Sequence, residues 1–428
     1  MKLAVRPLVR SAMLAGSLVL LASPLSTLAQ DASAGRKGWM DVRDCPAEHP
    51  GPWKKIKDTP EQATLRKELA GKGRIVFSSN RDGNWDIYVT EPDGSGRRNL
   101  TNSPSWDSYP RWTADGARIV FFSDRDAEVK MSSFYDQTMD RPAEGAWGFH
   151  RGRARYGPDK EVAMMAGCGV YVMNADGGNV KRLVQNAHRP AISPDGRLLA
   201  FERAGKSVTR DLKTGKEWDA VMRYFGGSWF PTFSPEGRRI LVASGGDIKG
   251  ATGALEQPPK KLMATVFDLK PGGKPVSKWW NVSLGSMNLM PRWRPDGKAL
   301  VLVRGSRELE LVEVAFTEKP DDITGLLNGR TIGLAEPADR YMHAFPAYCP
   351  NGQYIAFSLS PIHYLIRKKV APLGYKPWHD GHQIVWQELC VGRAVPGKDN
   401  VWIQLTDGGY ANIEADWFMP KKREETPP

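Results

Sequence analysis

One phrase recurs along this chain and restricts its fold more than any other feature. It reads proline, an aromatic or apolar residue one or two places on, a Pro-Asp-Gly-like turn, and a β-rich run. It stands as Pro110-Arg-Trp-Thr-Ala-Asp-Gly116 before Arg118-Ile-Val-Phe-Phe122, and as Pro190-Ala-Ile-Ser-Pro-Asp-Gly196 before Leu198-Leu-Ala-Phe201. It returns as Pro231-Thr-Phe-Ser-Pro-Glu-Gly237 before Ile240-Leu-Val242, and as Pro291-Arg-Trp-Arg-Pro-Asp-Gly297 before Leu300-Val-Leu-Val303. A fifth copy is Pro346-Ala-Tyr-Cys-Pro-Asn-Gly352 before Tyr354-Ile-Ala-Phe357. Each copy predicts a strand, a tight turn and a second strand. Proline presets φ in the turn, Asp or Asn bonds to nearby backbone, and Gly takes the positive φ. The β-branched and aromatic run that follows suits a pleated, buried surface.

Between these phrases lie hairpins that turn on Asp-Gly, Thr-Gly or Pro-Gly. They are Asp86-Ile-Tyr-Val-Thr-Glu-Pro-Asp-Gly94, Gly169-Val-Tyr-Val-Met-Asn-Ala-Asp-Gly177, Val208-Thr-Arg-Asp-Leu-Lys-Thr-Gly215 and Thr265-Val-Phe-Asp-Leu-Lys-Pro-Gly272. Each repeat therefore holds about four strands, the content of a propeller blade. The two ends complete the count. Gly73-Arg-Ile-Val-Phe77 is a β-run without its phrase. Tyr410-Ala-Asn-Ile-Glu-Ala-Asp-Trp417 is a phrase without its run, with Ala411 in the place of the proline. Joined, they make a sixth copy shared by the two ends, which is how a ring of blades closes and leaves no free edge. The expectation is an all-β, six-bladed β-propeller over residues 73–419, closed by pairing of N- and C-terminal strands. A short N-terminal extension, residues 30–72, precedes it. Within that extension residues 59–71 predict a helix, with Thr59 as N-cap, Pro60 at N1, Gln62 completing a capping box and Gly71 ending it. Residues 420–428 read as a flexible tail.

The run Ser78-Ser-Asn-Arg-Asp-Gly-Asn-Trp-Asp-Ile-Tyr-Val89, with Asn99-Leu-Thr101 and Pro110-Arg-Trp-Thr-Ala-Asp-Gly116, resembles the propeller repeat of TolB-like periplasmic proteins. The resemblance covers residues 73–419. It implies the fold and the periplasm. TolB has an α/β domain before its propeller and only residues 30–72 stand there here, so no partner-binding residue is carried over.

The first 29 residues read as a signal peptide that supports this compartment. Lys2, Arg6 and Arg10 precede an apolar run over residues 11–25, and Thr27-Leu28-Ala29 is a small-x-small cleavage site, placing the mature start at Gln30. No later stretch reaches the roughly 20 apolar residues of a spanning helix. Loss of the three cationic residues lowers the net charge from +12 to +9. A basic protein outside the cytoplasm meets anionic lipids, acidic glycans or acidic proteins. The charges form no concentrated stripe, which with the compartment excludes nucleic acid as a partner. Cys45, Cys168, Cys349 and Cys390 are an even set in an oxidising compartment, and predict two disulfides in one of three pairings.

Blade lengths show where function sits. Successive repeat prolines are 80, 41, 60 and 55 residues apart, with 65 more to Ala411, whereas a minimal blade needs about 40. The surplus forms loops on one face. The largest insertion, Asp126 to Gly167, carries His150, Arg151, Arg153 and Arg155, a set able to grip carboxylates or phosphates. A second, Ser360 to Gln383, carries His363, His379 and His382, candidate ligands of a metal ion. A third candidate is the ring of loops before each repeat proline, which should converge at the channel mouth. It offers Trp106, Asp107, Tyr109, His188, Arg189, Trp229, Asn288, His343, Asp407 and Tyr410. No His-Glu-x-x-His, Gly-x-Ser-x-Gly or Walker sequence is present. Two functions fit. One is a periplasmic binding module that recognises a periplasmic or outer-membrane protein, or an acidic glycan, through its loop face and channel mouth. The other is a propeller lyase or hydrolase of acidic saccharides, with a possible metal ion. No other cofactor is indicated.

Overall fold

The computed structural model describes residues 57–128, 167–220, 227–245, 263–269, 279–281, 288–304, 310–316, 330–332, 342–360, 387–395, 401–408, 410 and 412–420. These residues form one helix, α1 (Pro60–Leu69), and six four-stranded antiparallel sheets. From the axis outward, blade 1 is β24 (Asn412–Phe418), β1 (Arg74–Ser79), β2 (Asp86–Thr90) and β3 (Arg98–Asn99). Blade 2 is β4 (Asp107–Trp112), β5 (Arg118–Ser123), β6 (Gly169–Asn174) and β7 (Lys181–Gln185). Blade 3 is β8 (His188–Ile192), β9 (Leu198–Arg203), β10 (Lys206–Asp211) and β11 (Glu217–Asp219). Blade 4 is β12 (Gly227–Phe233), β13 (Arg239–Gly245), β14 (Met263–Asp268) and β15 (Trp279–Asn281). Blade 5 is β16 (Asn288–Trp293), β17 (Ala299–Arg304), β18 (Glu310–Ala315) and β19 (Arg330–Thr331). Blade 6 is β20 (Met342–Tyr348), β21 (Tyr354–Ser360), β22 (Glu388–Arg393) and β23 (Trp402–Gln404). The first strands of successive blades touch in a cycle, β4 to β8 and on through β20 and β24 back to β4, so the six sheets form a closed propeller.

Blade 1 joins the two ends of the fold, as the split repeat requires. Arg74 pairs Phe418 and Ser79 pairs Asn412. The phrase sits four residues later than the sequence placed it, however. Glu414-Ala415-Asp416-Trp417, not Tyr410-Ala411, occupies the place of Tyr109-Pro110-Arg111-Trp112, and Tyr410 lies in the loop before the strand.

Apolar side chains fill the wedges between blades. Val76, Ile87, Val89 and Leu100 of blade 1 meet Trp112, Ile119, Phe121, Tyr171 and Met173 of blade 2. At the seam between blades 6 and 1 the helix adds to the core. Leu65 and Leu69 pack with Ile75, Phe77, Trp417, Tyr354, Leu389 and Ile403. Thr59 caps α1 through a capping box with Gln62, and Gln62 also donates to the Trp402 carbonyl at 2.8 Å. Arg66 ties Asp58 to the backbone of Asp93 and Gln404.

The turns between first and second strands repeat one hydrogen-bond pattern. The Gly N–H donates back to the residue three before it in all five Pro-phrase turns, at Gly116, Gly196, Gly237, Gly297 and Gly352. The hydroxyls of Thr113, Ser193 and Ser234 accept from the N–H of Arg118, Leu198 and Arg239. Cys349 takes this place in blade 6: its Sγ accepts from the Tyr354 N–H at 3.2 Å and donates to Asn351 Oδ1 at 2.6 Å.

That pattern corrects the expectation of two disulfides. No disulfide joins Cys168, Cys349 and Cys390, which are buried. Cys349 is spent as a hydroxyl substitute in a turn. Cys390 pairs Phe357 across β21, whereas Cys349 follows Tyr348, which pairs Ile355 on the other side of that strand. They are thus two strand spacings apart, about 9.6 Å, beyond the roughly 7 Å that a disulfide spans between Cα atoms. Cys45, the segments 1–29 and 30–56, and the tail 421–428 lie outside the described residues. Among the described residues no helix is long and apolar enough to cross a membrane.

Candidate functional site

Strand registers bring both large insertions to one rim. Asp107, Ser123 and Gly169 stand level in blade 2, and Met342, Ser360 and Glu388 lie within a residue of level in blade 6. Asn412, Ser79 and Asp86 stand level in blade 1, and His188, Glu202 and Ser207 in blade 3. Both large insertions and the starts of all first strands therefore open on this connector rim. The Pro-Asp-Gly turns occupy the opposite, turn rim. A cleft of about 280 Å³ lies there between blades 2 and 3, lined by Asp115, Arg118, Leu183, Ile192, Asp195 and Leu212.

Just inside the connector rim, each first strand carries the same irregularity. The residue before the repeat proline, or before Ala415, has a positive φ: Tyr109 (55°), Arg189 (49°), Phe230 (55°), Met290 (51°), Phe345 (50°) and Glu414 (64°). Pairing slips at each of these places. This is a β-bulge, and a non-glycine residue in that region costs of order 1–3 kcal/mol. It recurs at the same place in all six first strands, and the Arg189 side chain meets those of Tyr109 and Phe230 in the neighbouring blades. Five of the six residues are buried and Phe230 is half-buried.

The ring has a polar half and an apolar half. Arg189 lies over the Tyr109 ring at 5.2 Å and the Phe230 ring at 4.4 Å, and its Nε donates to the Tyr109 hydroxyl at 3.0 Å. Its Nη1 donates to Glu202 Oε2 at 2.8 Å, and His188 Nε2 lies 3.2 Å from the same oxygen. Burial opposes the charge of Glu202, but Arg189 and His188 outweigh it and hold the carboxyl down at about 2. Glu414 accepts from Ser78 Oγ and from the Tyr109 N–H at 2.7 Å each, while its Oε1 is buried without a partner. Burial pushes this carboxyl up. On the other side, Met290 Sδ accepts from the Phe345 N–H at 3.4 Å.

The residues singled out in the sequence divide accordingly. Tyr109 and Arg189 belong to the ring, and Asp107 and His188 stand just above it; all four are buried and bonded within the wall, not open at a mouth. Burial pushes Asp107 up to about 6, though Arg125, which donates to both its oxygens at 3.1 and 3.2 Å, pulls it back. Trp229 is half-buried. Asn288 and His343 stand on β16 and β20, with side chains outside the described residues, and Tyr410 is 40% exposed on the rim. His150, Arg151, Arg153, Arg155, His363, His379 and His382 also lie outside them. Among the described residues no three His, Cys, Asp or Glu side chains converge as for a metal ion. Sequence reading missed Phe230, Met290, Phe345 and Glu414, although one signal marks most of them: each of the first three directly precedes a repeat proline.

No protein-family model matches the chain. Over 154 residues, 33% of the chain, it is 28% identical to a protein TolB homolog of Chlorobium luteolum, of which 35% is covered. Over 250 residues, 52% of the chain, it is 22% identical to dipeptidyl-peptidase 5 of Porphyromonas gingivalis, of which 33% is covered. The chain thus spans about a third of the length of these curated relatives. Among solved structures, TolB from Acinetobacter baumannii superposes with a TM-score of 0.50 at 15% identity, over 82% of this chain and 67% of that one. A likeness at that identity speaks to the fold alone.

Proposed function

We propose that this chain, a TolB-like six-bladed propeller, is an envelope binding module that acts in the periplasm and recognises a polypeptide through its connector rim. One observation carries the reading. The two large insertions and the starts of all six first strands open together on one rim, opposite the repeat turns. A rigid scaffold that gathers variable loops on one face is suited to surface recognition. The export-signal pattern of residues 1–29 supports the compartment, with a mature chain from Gln30 and the propeller over 73–419.

The test has two arms. N-terminal sequencing of the protein from a periplasmic fraction should read from Gln30, and a cytoplasmic, unprocessed protein would refute the compartment. A photo-crosslinking residue at Asn102 or Tyr410, both exposed on the connector rim, should give polypeptide adducts in cells. One at Lys298, exposed on the turn rim, should give none. Equal adducts from both rims, or none from either, would refute the recognition surface.

A further inference from the structure

Blades 1 and 2 carry the same short sequence at the same place: Ser79-Asn-Arg-Asp82 and Ser123-Asp-Arg-Asp126. In both, the Asp accepts from a tyrosine hydroxyl, Asp82 from Tyr88 and Asp126 from Tyr171. In both, the Arg lies over that tyrosine ring, Arg81 at 5.6 Å and Arg125 at 5.0 Å. The two arginines then part company. Arg125 finds a carboxylate, Asp107, at the head of its own first strand. The matching residue in blade 1 is Asn412. Its Nδ2 donates to the Gln387 and Tyr410 carbonyls and to Glu388, work that a carboxylate cannot do. Its Oδ1 already accepts from Ser79 Oγ at 2.9 Å and reaches Arg81 Nη2 only at 3.4 Å.

Among the described residues Arg81 is thus left without an ion pair. Its Nε has no partner. Burial and the charge of Arg97 both work against its cation, and Glu388, Tyr88 and Asp407 favour it from a distance. The carboxylates nearby are committed elsewhere. Asp82 accepts from Tyr88 and Asn99, Glu388 from Thr406 and Asn412, and Asp407 stands 3.9 Å from Arg97. The Arg81 guanidinium also lies 5.5 Å from the ring of Tyr410, which is 40% exposed.

We infer that the seam between blades 6 and 1 is a carboxylate-recognition point, where Arg81, flanked by Tyr88 and Tyr410, takes an acidic side chain or C-terminus of a polypeptide partner. Arg125 is the built-in contrast, the same motif with its carboxylate supplied from within. A polypeptide is favoured over a uronate because the carboxylate that holds the matching, tyrosine-stacked Arg125 is a protein side chain, Asp107. The inference rests on the polypeptide reading of the rim.

The probe is a fluorescent oligo-glutamate peptide, titrated by anisotropy, with trigalacturonate as the second arm. The wild type should bind the peptide more weakly as salt rises. Arg81→Ala should weaken binding roughly tenfold, the scale of one lost charge-assisted hydrogen bond. Arg81→Lys should fall between, since lysine has no planar fork, and Lys298→Ala should change nothing. If Arg81→Ala melts below the wild type, Arg81→Lys, which keeps the charge, and exposed Tyr410→Ala carry the comparison. No binding by the wild type, equal binding by the arginine variants, or a preference for trigalacturonate would each overturn the inference. Rim adducts at Asn102 that persist while Arg81→Ala binds peptide unchanged would sink this inference alone. Absence of rim adducts in the wild type would sink the reading beneath it.

Discussion

The repeat turns and the connector rim of the propeller hold many of their polar groups in different ways. The repeat turns satisfy their polar groups locally: hydroxyl or thiol, carboxylate or amide, and glycine lie within five residues of one another. The connector rim satisfies several of them across blades. The Tyr109 N–H of blade 2 binds Glu414 of blade 1, and the Phe230 N–H of blade 4 binds Glu202 of blade 3. Local bonds form wherever the short sequence occurs. Bonds between blades form only when the ring is complete, and each side chain lost there strands a partner from another repeat.

Four substitutions sharpen or break this contrast, each read as a denaturant-unfolding free energy. The largest effect falls on the connector rim. Glu202→Gln should cost about 3–5 kcal/mol, because Arg189 stays buried without its carboxylate. A cost below that of the turn-rim changes would mean that the inter-blade network is dispensable. Gly116→Ala comes next, at about 2–4 kcal/mol, since positive φ and overpacking combine. A Cβ there would lie 2.2 Å from the Phe418 ring.

The third test is a pH dependence. Asp107 is pushed up to about 6 by burial, so the fold holds its proton where the unfolded chain has lost it. Stability from this group is therefore present at low pH and lost as pH rises from about 4 to 6. Against Asp107→Asn, which has no such proton, the wild type should lose about 2–3 kcal/mol over that interval. Glu202 has the opposite sign: its contribution is present above about 4.3 and is lost as pH falls towards 2. A wild type that tracks Asp107→Asn at all pH values would remove the charged wall from the account. The smallest effect is Gly196→Ala, at about 1–2 kcal/mol, because a Cβ there meets nothing within 4 Å and only the backbone penalty remains. Equal costs at Gly116 and Gly196 would show that Phe418 adds nothing to the turn rim.

The same contrast decides what was legible in the sequence. The blades were legible because Pro194-Asp-Gly196 and its copies state their turn chemistry within four residues. The ring was not. Tyr109, Arg189, Phe230, Met290, Phe345 and Glu414 share a backbone conformation and no side-chain type, and their convergence needs six blades in place. Tyr410-Ala411 looked like Tyr109-Pro110, and only pairing with β1 puts Glu414-Ala415 there instead. Cys349 looked like a disulfide partner because cysteine count carries no information on turns, whereas its position in the phrase is that of Ser193 and Ser234. The Arg81 seam was inside the quoted repeat, but its difference from Arg125 lies at Asn412, over 300 residues away.

Blade 1 takes its innermost strand from residues 412–418 and its other three from residues 74–99. The ring therefore has no closed form until residues 412–418 have been synthesised. Until then blade 1 exposes the inner edge of β1, and the bonds from Ser78 and Tyr109 to Glu414 cannot form. Such a chain stays open until that strand is made, then locks around contacts of very long sequence separation, which makes folding slow. Completion of the last strand, rather than growth of the first blades, is the event that commits the molecule to its shape.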